Sequence, residues 1–222
     1  MMTKGILASL AFAAFAGAVL FGCAGRTDVP QFWGWLAFLS IASVAFLPLA
    51  NRLSPGLIEE RMRPGGGDRD RFGQAFGVLQ LVATLAIAGL DAGRFHWAAP
   101  LPPAVFALAW GAVVAGFAIV AWAMLVNRYF SSAIRIQSDR GQVVVERGPY
   151  AWVRHPGYLG GLLFMGFTGL ALGSWWAALT ALPALPWMLR RTGIEDAMLR
   201  SELEGYDDYA GRVRFRLVPG LW

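Results

Sequence analysis

The chain has 222 residues, of which 57% are apolar and 15% charged, and its mean hydropathy is +0.51. That balance excludes an ordinary soluble globule. The net charge of +5 is carried by basic residues lying between apolar runs, which points to anionic lipid headgroups and away from nucleic acid. The single cysteine, Cys23, excludes an intrachain disulfide and any cysteine-built zinc or iron–sulfur site.

A membrane-spanning helix needs about 20 apolar residues to cross roughly 30 Å of hydrocarbon. The first such run, Ile6 to Phe21, follows Lys4 and ends near Gly22-Cys23. It resembles a lipoprotein leader, but bulky Phe21 stands where such cleavage sites want a small residue, so an uncleaved first helix is the expectation. The second run covers Gln31 to Ala50. A polar loop is expected after it, containing Glu59, Glu60, Arg61, Arg63, glycines 65 to 67, Arg69 and Arg71. The third run, Gln74 to Leu90, is expected to break at Asp91, Arg94, His96 and the Pro100-Leu101-Pro102-Pro103 stretch. The fourth runs from Ala104 to Val126, and none of the four has a charge well inside it, which weakens a transport reading. Beyond Asn127 the chain turns polar, with Val143 to Val145 expected to be briefly extended.

The last apolar stretch, residues 157–189, is interrupted near Gly173-Ser174. Each half, at roughly 16 residues, covers about 24 Å as a helix, so a short hairpin is expected, barely spanning or re-entrant. The fold class is therefore all-α: a polytopic membrane helical bundle of four transmembrane helices, a C-terminal short helical hairpin and a cytoplasmic cofactor-binding tail. Residues 1–126 form the transmembrane part and 127–222 the cofactor-binding region. Only Arg26 and Arg94 fall on the sparsely basic side, so both termini are expected in the cytoplasm.

The candidate chemistry lies in Gly148-Pro149-Tyr150-Ala151-Trp152-Val153-Arg154-His155-Pro156-Gly157-Tyr158, at the hairpin mouth. Pro156 suits a first helical turn, and the helix N-terminus with Arg154 favours an anion. Taken singly, these residues read as a cytoplasmic boundary and an interfacial aromatic belt. A second polar group, Arg190-Arg191-Thr192-Gly193-Ile194-Glu195-Asp196, returns to the same interface. Arg191 and Glu195 are four apart on one helix face: an ordinary surface ion pair, or a pair in which Glu195 holds an ammonium and Arg191 an anion. The second reading requires both to lie near His155.

From about Ser131 to Trp222 the chain resembles the isoprenylcysteine carboxyl methyltransferase family, bacterial members included. The resemblance rests on IRIQ, GPYAWVRHPGY, LGSWW, RTGIED and GYDDYAGRVRFRLVPGLW in that order, with LSPGLIEERMRPG and NRYFSS upstream. It implies a membrane enzyme that uses S-adenosylmethionine and admits a lipophilic acceptor from the bilayer. Carried over by position, it implies cofactor contacts from Gln137, Gln142, Val143, Val144, Val145, Tyr150, His155, Pro156, Gly157 and Tyr158. Glu195 is implied at the cofactor's amino group and Arg191, as the catalytic residue, toward the acceptor; no metal is implied. The sequence has Glu195-Asp196 where relatives often show two glutamates, and Gln142 where some have histidine. Carboxyl O-methylation of an isoprenylcysteine-like acceptor is the leading expectation. Phospholipid-amine or thiol methylation, a nicotinamide-dependent membrane reductase, and a non-enzymatic transporter or assembly factor are the alternatives.

Overall fold

The structure, a computed structural model, describes residues 2–62 and 67–222; Arg63, Gly65 and Gly66 lie outside the described residues. Helices α1 (Met2–Ala24), α2 (Pro30–Leu53), α4 (Arg71–Ala88) and α5 (Pro103–Val126) form where the apolar runs lie. Four helices, α4 counted with its continuation to Phe95, are long and apolar enough to cross a membrane. Side chains such as Leu7, Ile41, Leu79 and Leu108 point outward, as lipid contact requires. Proline opens α2 and α5 at the first turn, where its missing N–H costs nothing. The chain is an integral membrane protein with an all-helical fold.

The bundle interior is built from small and large residues that interdigitate: Ala16, Leu20, Phe32, Trp35, Leu85, Ala88 and Leu172 are all buried. In lipid, close packing of this kind replaces the hydrophobic drive as the source of helix association. A close approach of two long helices is that between α5 and α6 (Pro156–Ala171). A Cβ on Gly160 would meet the Gly116 carbonyl at 2.6 Å, and one on Gly116 would meet the Gly160 carbonyl at 2.6 Å.

Three expectations change, and a fourth segment, the stretch at Val143 to Val145 expected to be extended, gains no strand partner among the described residues. The loop after α2 is not simply solvated: it contains the short helix α3 (Leu57–Met62), and Glu60 is buried because Ser131, Arg135 and Arg140 close on it. The third span does not break at Asp91. It continues as a π-helical segment, Gly89–Phe95, and ends at His96, whose φ is 51°. Asp91 is 2% exposed there because the Ser174 hydroxyl donates to it at 2.6 Å and the Ala98 N–H at 3.2 Å. Val143 to Val145 pair with no strand, since strands are absent among the described residues. The hairpin's return arm is not one helix: α7 (Trp175–Leu179) is followed by a turn at residues 180–183, and α8 runs Ala184–Glu202. Pro183 and Pro186 sit where the restart occurs and cannot donate in a continuous helix.

The Asp91–Ser174 bond ties the hairpin tip to the far end of the third span. Its mouth lies at the opposite end, with α3, the 127–155 segment and α9 (Tyr206–Arg212). The basic segments therefore share one end of the bundle.

Candidate functional site

At that end lies a cavity of about 540 Å³, floored by α4, α5 and α6 and walled by the 127–155 segment and α8. The volume falls within the range typical of small-molecule and cofactor sites. Gln137, Gln142, Val143, Val144, Val145, Tyr150, His155, Gly157, Tyr158, Arg191 and Glu195 all line it; Pro156 is buried behind them as the first residue of α6.

Gln137 is 1% exposed and its amide is fully used: Nε2 donates to the Tyr129 carbonyl at 2.6 Å, and Oε1 accepts from Arg140 at 2.6 Å. Its own backbone N–H donates to Gln142 Oε1 at 2.7 Å, which closes the turn around Gly141. The two glutamines thus shape the loop. Val143 to Val145, just after it, make no backbone–backbone hydrogen bond. Their main-chain donors and acceptors, without backbone partners among the described residues, are therefore available at the cavity that these residues line. Tyr150 is fixed by Asn127, which donates to its hydroxyl at 3.0 Å, and by Tyr209, whose hydroxyl donates to its carbonyl at 2.7 Å.

His155 precedes α6 and is held from three sides. Its backbone N–H donates to the Arg216 carbonyl at 2.9 Å, its Nε2 faces Asp196 Oδ1 at 3.2 Å, and its ring stacks on Tyr158 with centroids 5.8 Å apart. Nδ1 lies 4.0 Å from Glu195 Oε2, so α8 brings Glu195 to His155 across 40 residues of hairpin.

The residue that sequence reasoning missed is Asp196. Its Oδ1 accepts from Arg154 Nε at 2.8 Å and from the Tyr206 hydroxyl at 3.1 Å, besides facing His155. Its Oδ2 accepts from Arg154 Nη2 at 3.1 Å, Arg216 Nε at 3.0 Å and Arg200 Nε at 3.4 Å. Burial opposes its charge, but the hydrogen bonds from His155 and Arg154 prevail and hold the carboxyl well below the usual carboxylate range. Burial and the neighbouring Asp196 charge push the Tyr206 phenol up, so it remains a proton donor. Arg154 does not offer its charge to a ligand, contrary to expectation: it is 5% exposed and also donates to the carbonyls of Val213 and Arg214, both at 2.9 Å.

Arg191 differs too. It makes no ion pair with Glu195 among the described residues. Its Nη1 meets Asp70 Oδ2 at 3.1 Å and its Nε donates to the Tyr158 hydroxyl at 3.2 Å. Asp70 is 3% exposed, and a carboxylate so enclosed needs a cation; Arg191 and Arg190 supply two. Neither Asp70 nor Asp196 carried a signal beyond its charge, since each finds its partners through the fold. The consequence for the site is an asymmetry. Asp196 and Asp70 are saturated, whereas Glu195, with 30% of its side chain exposed, has no arginine within ion-pair distance among the described residues.

Residues 107–201 match the model of the isoprenylcysteine carboxyl methyltransferase (ICMT) family. No curated protein matches the chain. Among solved structures, the chain is similar to that of the eukaryotic intramembrane Ras methyltransferase ICMT, determined without a monobody. The TM-score is 0.57 at 17% identity, over 95% of this chain and 75% of that one. The likeness to the ICMT family model is thus assigned to the 107–201 segment, which runs from α5 through most of α8.

Proposed function

From that assignment we propose that the protein transfers a methyl group from S-adenosylmethionine to a lipophilic acceptor, at the cytoplasmic face of a bacterial inner membrane with both termini in the cytoplasm. The acceptor group of choice is the carboxylate of an isoprenylcysteine-like molecule. The observation that carries the reading is Glu195, the one acid that lines the cavity among the described residues, which has no arginine within ion-pair distance while Asp70 and Asp196 outside the lining are paired.

The residues fit the cofactor. Glu195 would take its ammonium, the unpaired main chain of Val143 to Val145 its polar edges, and the Tyr150, His155, Gly157 and Tyr158 wall its apolar surface, with Pro156 fixing the turn that presents them. S-adenosylmethionine supplies an activated methyl group, which leaves its sulfur as the electron pair of that bond returns there. Arg191, pinned by Asp70 and Tyr158, retains N–H groups of its five-donor fork and would orient the acceptor. A carboxylate acceptor is ionised near neutral pH, so no general base is needed and the protein's contribution is alignment. Aligning both reactants also limits ground-state electrostatic trapping, which would not speed the step.

Calorimetric titration of the detergent-solubilised protein with S-adenosylmethionine, and in parallel with NADPH, tests this. Saturable binding of the first alone is expected, weakened about tenfold or more in Glu195→Gln, as for loss of a charge-assisted hydrogen bond. Binding of NADPH alone would favour a nicotinamide-dependent reductase, and unchanged affinity in Glu195→Gln would remove that residue from the site.

A further inference from the structure

Four arginines line the cavity: Arg61, Arg135, Arg154 and Arg191. Three are committed to carboxylates, Arg135 to Glu60 and Asp139, Arg154 to Asp196, and Arg191 to Asp70. Arg61 is different. Among the described residues it has no ion pair or side-chain hydrogen bond, and its guanidinium carbon lies 5.6 Å from the centroid of the Phe130 ring. It is exposed and lines the cavity, and desolvation lowers its pKa from the usual guanidinium value.

Its position is built. Glu60, next in the chain, is buried and held by the Ser131 hydroxyl at 2.8 Å and by Arg135 at 3.1 Å, which docks α3 on the 131–135 segment. Phe130, under the Arg61 guanidinium, in turn packs on Gly157: a Cβ there would meet the ring at 2.5 Å. Arg61 thus reaches the His155–Tyr158 turn through one aromatic ring. It comes from the wall opposite in sequence to the cofactor residues, the wall shared with Gly73, Gly77 and Val78 of α4.

We propose that Arg61 binds the anionic group of the lipophilic acceptor, a carboxylate or a headgroup phosphate, by a charge-assisted contact with the guanidinium that the protein itself leaves unpaired. This rests on the methyltransferase reading above. Arg61 is exposed and its charge is not answered by any carboxylate among the described residues, so an acceptor anion entering the cavity would gain a charge-assisted contact there that a neutral acceptor would not, which makes Arg61 a selector for charged acceptors.

The test is direct binding to the full chain in nanodiscs, without cofactor, by tryptophan fluorescence. The probes are N-acetyl-S-farnesylcysteine, its neutral methyl ester, and phosphatidic acid. The wild type is expected to prefer the acid over the ester at least tenfold. Arg61→Gln is expected to abolish that preference while S-adenosylmethionine affinity stays within twofold, and Arg61→Lys to keep part of it. Loss confined to the farnesylcysteine acid identifies a carboxylate; loss confined to phosphatidic acid identifies a phosphate; either supports the proposal. Unchanged affinity of Arg61→Gln for both the farnesylcysteine acid and phosphatidic acid overturns it, as does a loss of S-adenosylmethionine affinity with binding of both acids intact, which would place Arg61 on the cofactor's own carboxylate. A wild type that binds acceptor but not S-adenosylmethionine refutes the methyltransferase reading and leaves the Arg61 assignment standing.

Discussion

Asp196→Asn is the substitution that probes most of the architecture, because shape is kept and only charge and acceptor capacity are lost. Its side chain is 1% exposed and that of Arg154 is 3% exposed, so the change leaves a buried guanidinium without a counter-ion, with the Val213 and Arg214 carbonyls and at most one amide oxygen. Whichever way the new amide turns, its NH2 faces N–H or O–H donors, from Arg154 with Tyr206 on one side or Arg154 with Arg216 on the other. Removing one partner of a buried pair costs about 3–5 kcal/mol. The Arg200 and Arg216 contacts, with side chains 42% and 35% exposed, add at most about 1 kcal/mol each. For a chain of this size roughly 2–4 °C of Tm accompanies each kcal/mol, so a fall of about 6–20 °C is expected from the buried pair alone by thermal unfolding in one detergent. Asp207→Asn, which loses an exposed pair with the same Arg200, is the control, with a change of about 2 °C or less. A Tm for Asp196→Asn indistinguishable from that control would refute the idea that this carboxylate holds the tail to the hairpin mouth.

The same carboxylate sets an acid dependence. Its folded pKa is depressed, so its contribution is complete above the unfolded value near 4 and is lost as pH falls below it toward the folded value; the Tm of the wild type should drop over that window by more than that of Asp196→Asn. Gly160→Val should separate α5 from α6, because its Cβ has the Gly116 carbonyl at 2.6 Å and the Val120 N at 3.0 Å; overpacking of about 1–3 kcal/mol should appear as a Tm loss, whereas Gly166→Val, with nothing within 4 Å, should be silent.

Span lengths and hydropathy made the four long helices legible, since lipid demands continuous apolar residues whatever the packing. The 148–158 motif was legible because its chemistry is local: proline opens α6, and the residues before it face one cavity. Asp70, Glu60 and Arg61 were not, because their roles depend on the docking of Glu60 and of residues 68–70 against 131–135 and α8, which no local pattern encodes. Arg154 was misread for the same reason: proximity to a helix start suggested an anion site, but Asp196, 42 positions away, had already neutralised it. Asp91 looked like a helix end because charge in a span is costly; Ser174 offsets that cost, and Ser174 is only reached once the hairpin folds back.

The placement of Arg61, Glu60 and Asp70 has a further consequence. All three lie outside residues 107–201, yet Arg61 lines the cavity while Glu60 and Asp70 clamp arginines that do. On the assignments proposed here, the donor of the methyl group is gripped by the family-matched segment and the recipient by the helices in front of it. Changes in the N-terminal half can then retarget the chemistry to new lipids while the methylating apparatus stays intact, provided the clamps to Arg135 and Arg191 are kept. Chimaeras joined before α5 would have to carry Glu60 and Asp70 with the new front half, or the transplanted machinery would meet its membrane with Arg191 unanswered and Arg135 held by Asp139 alone.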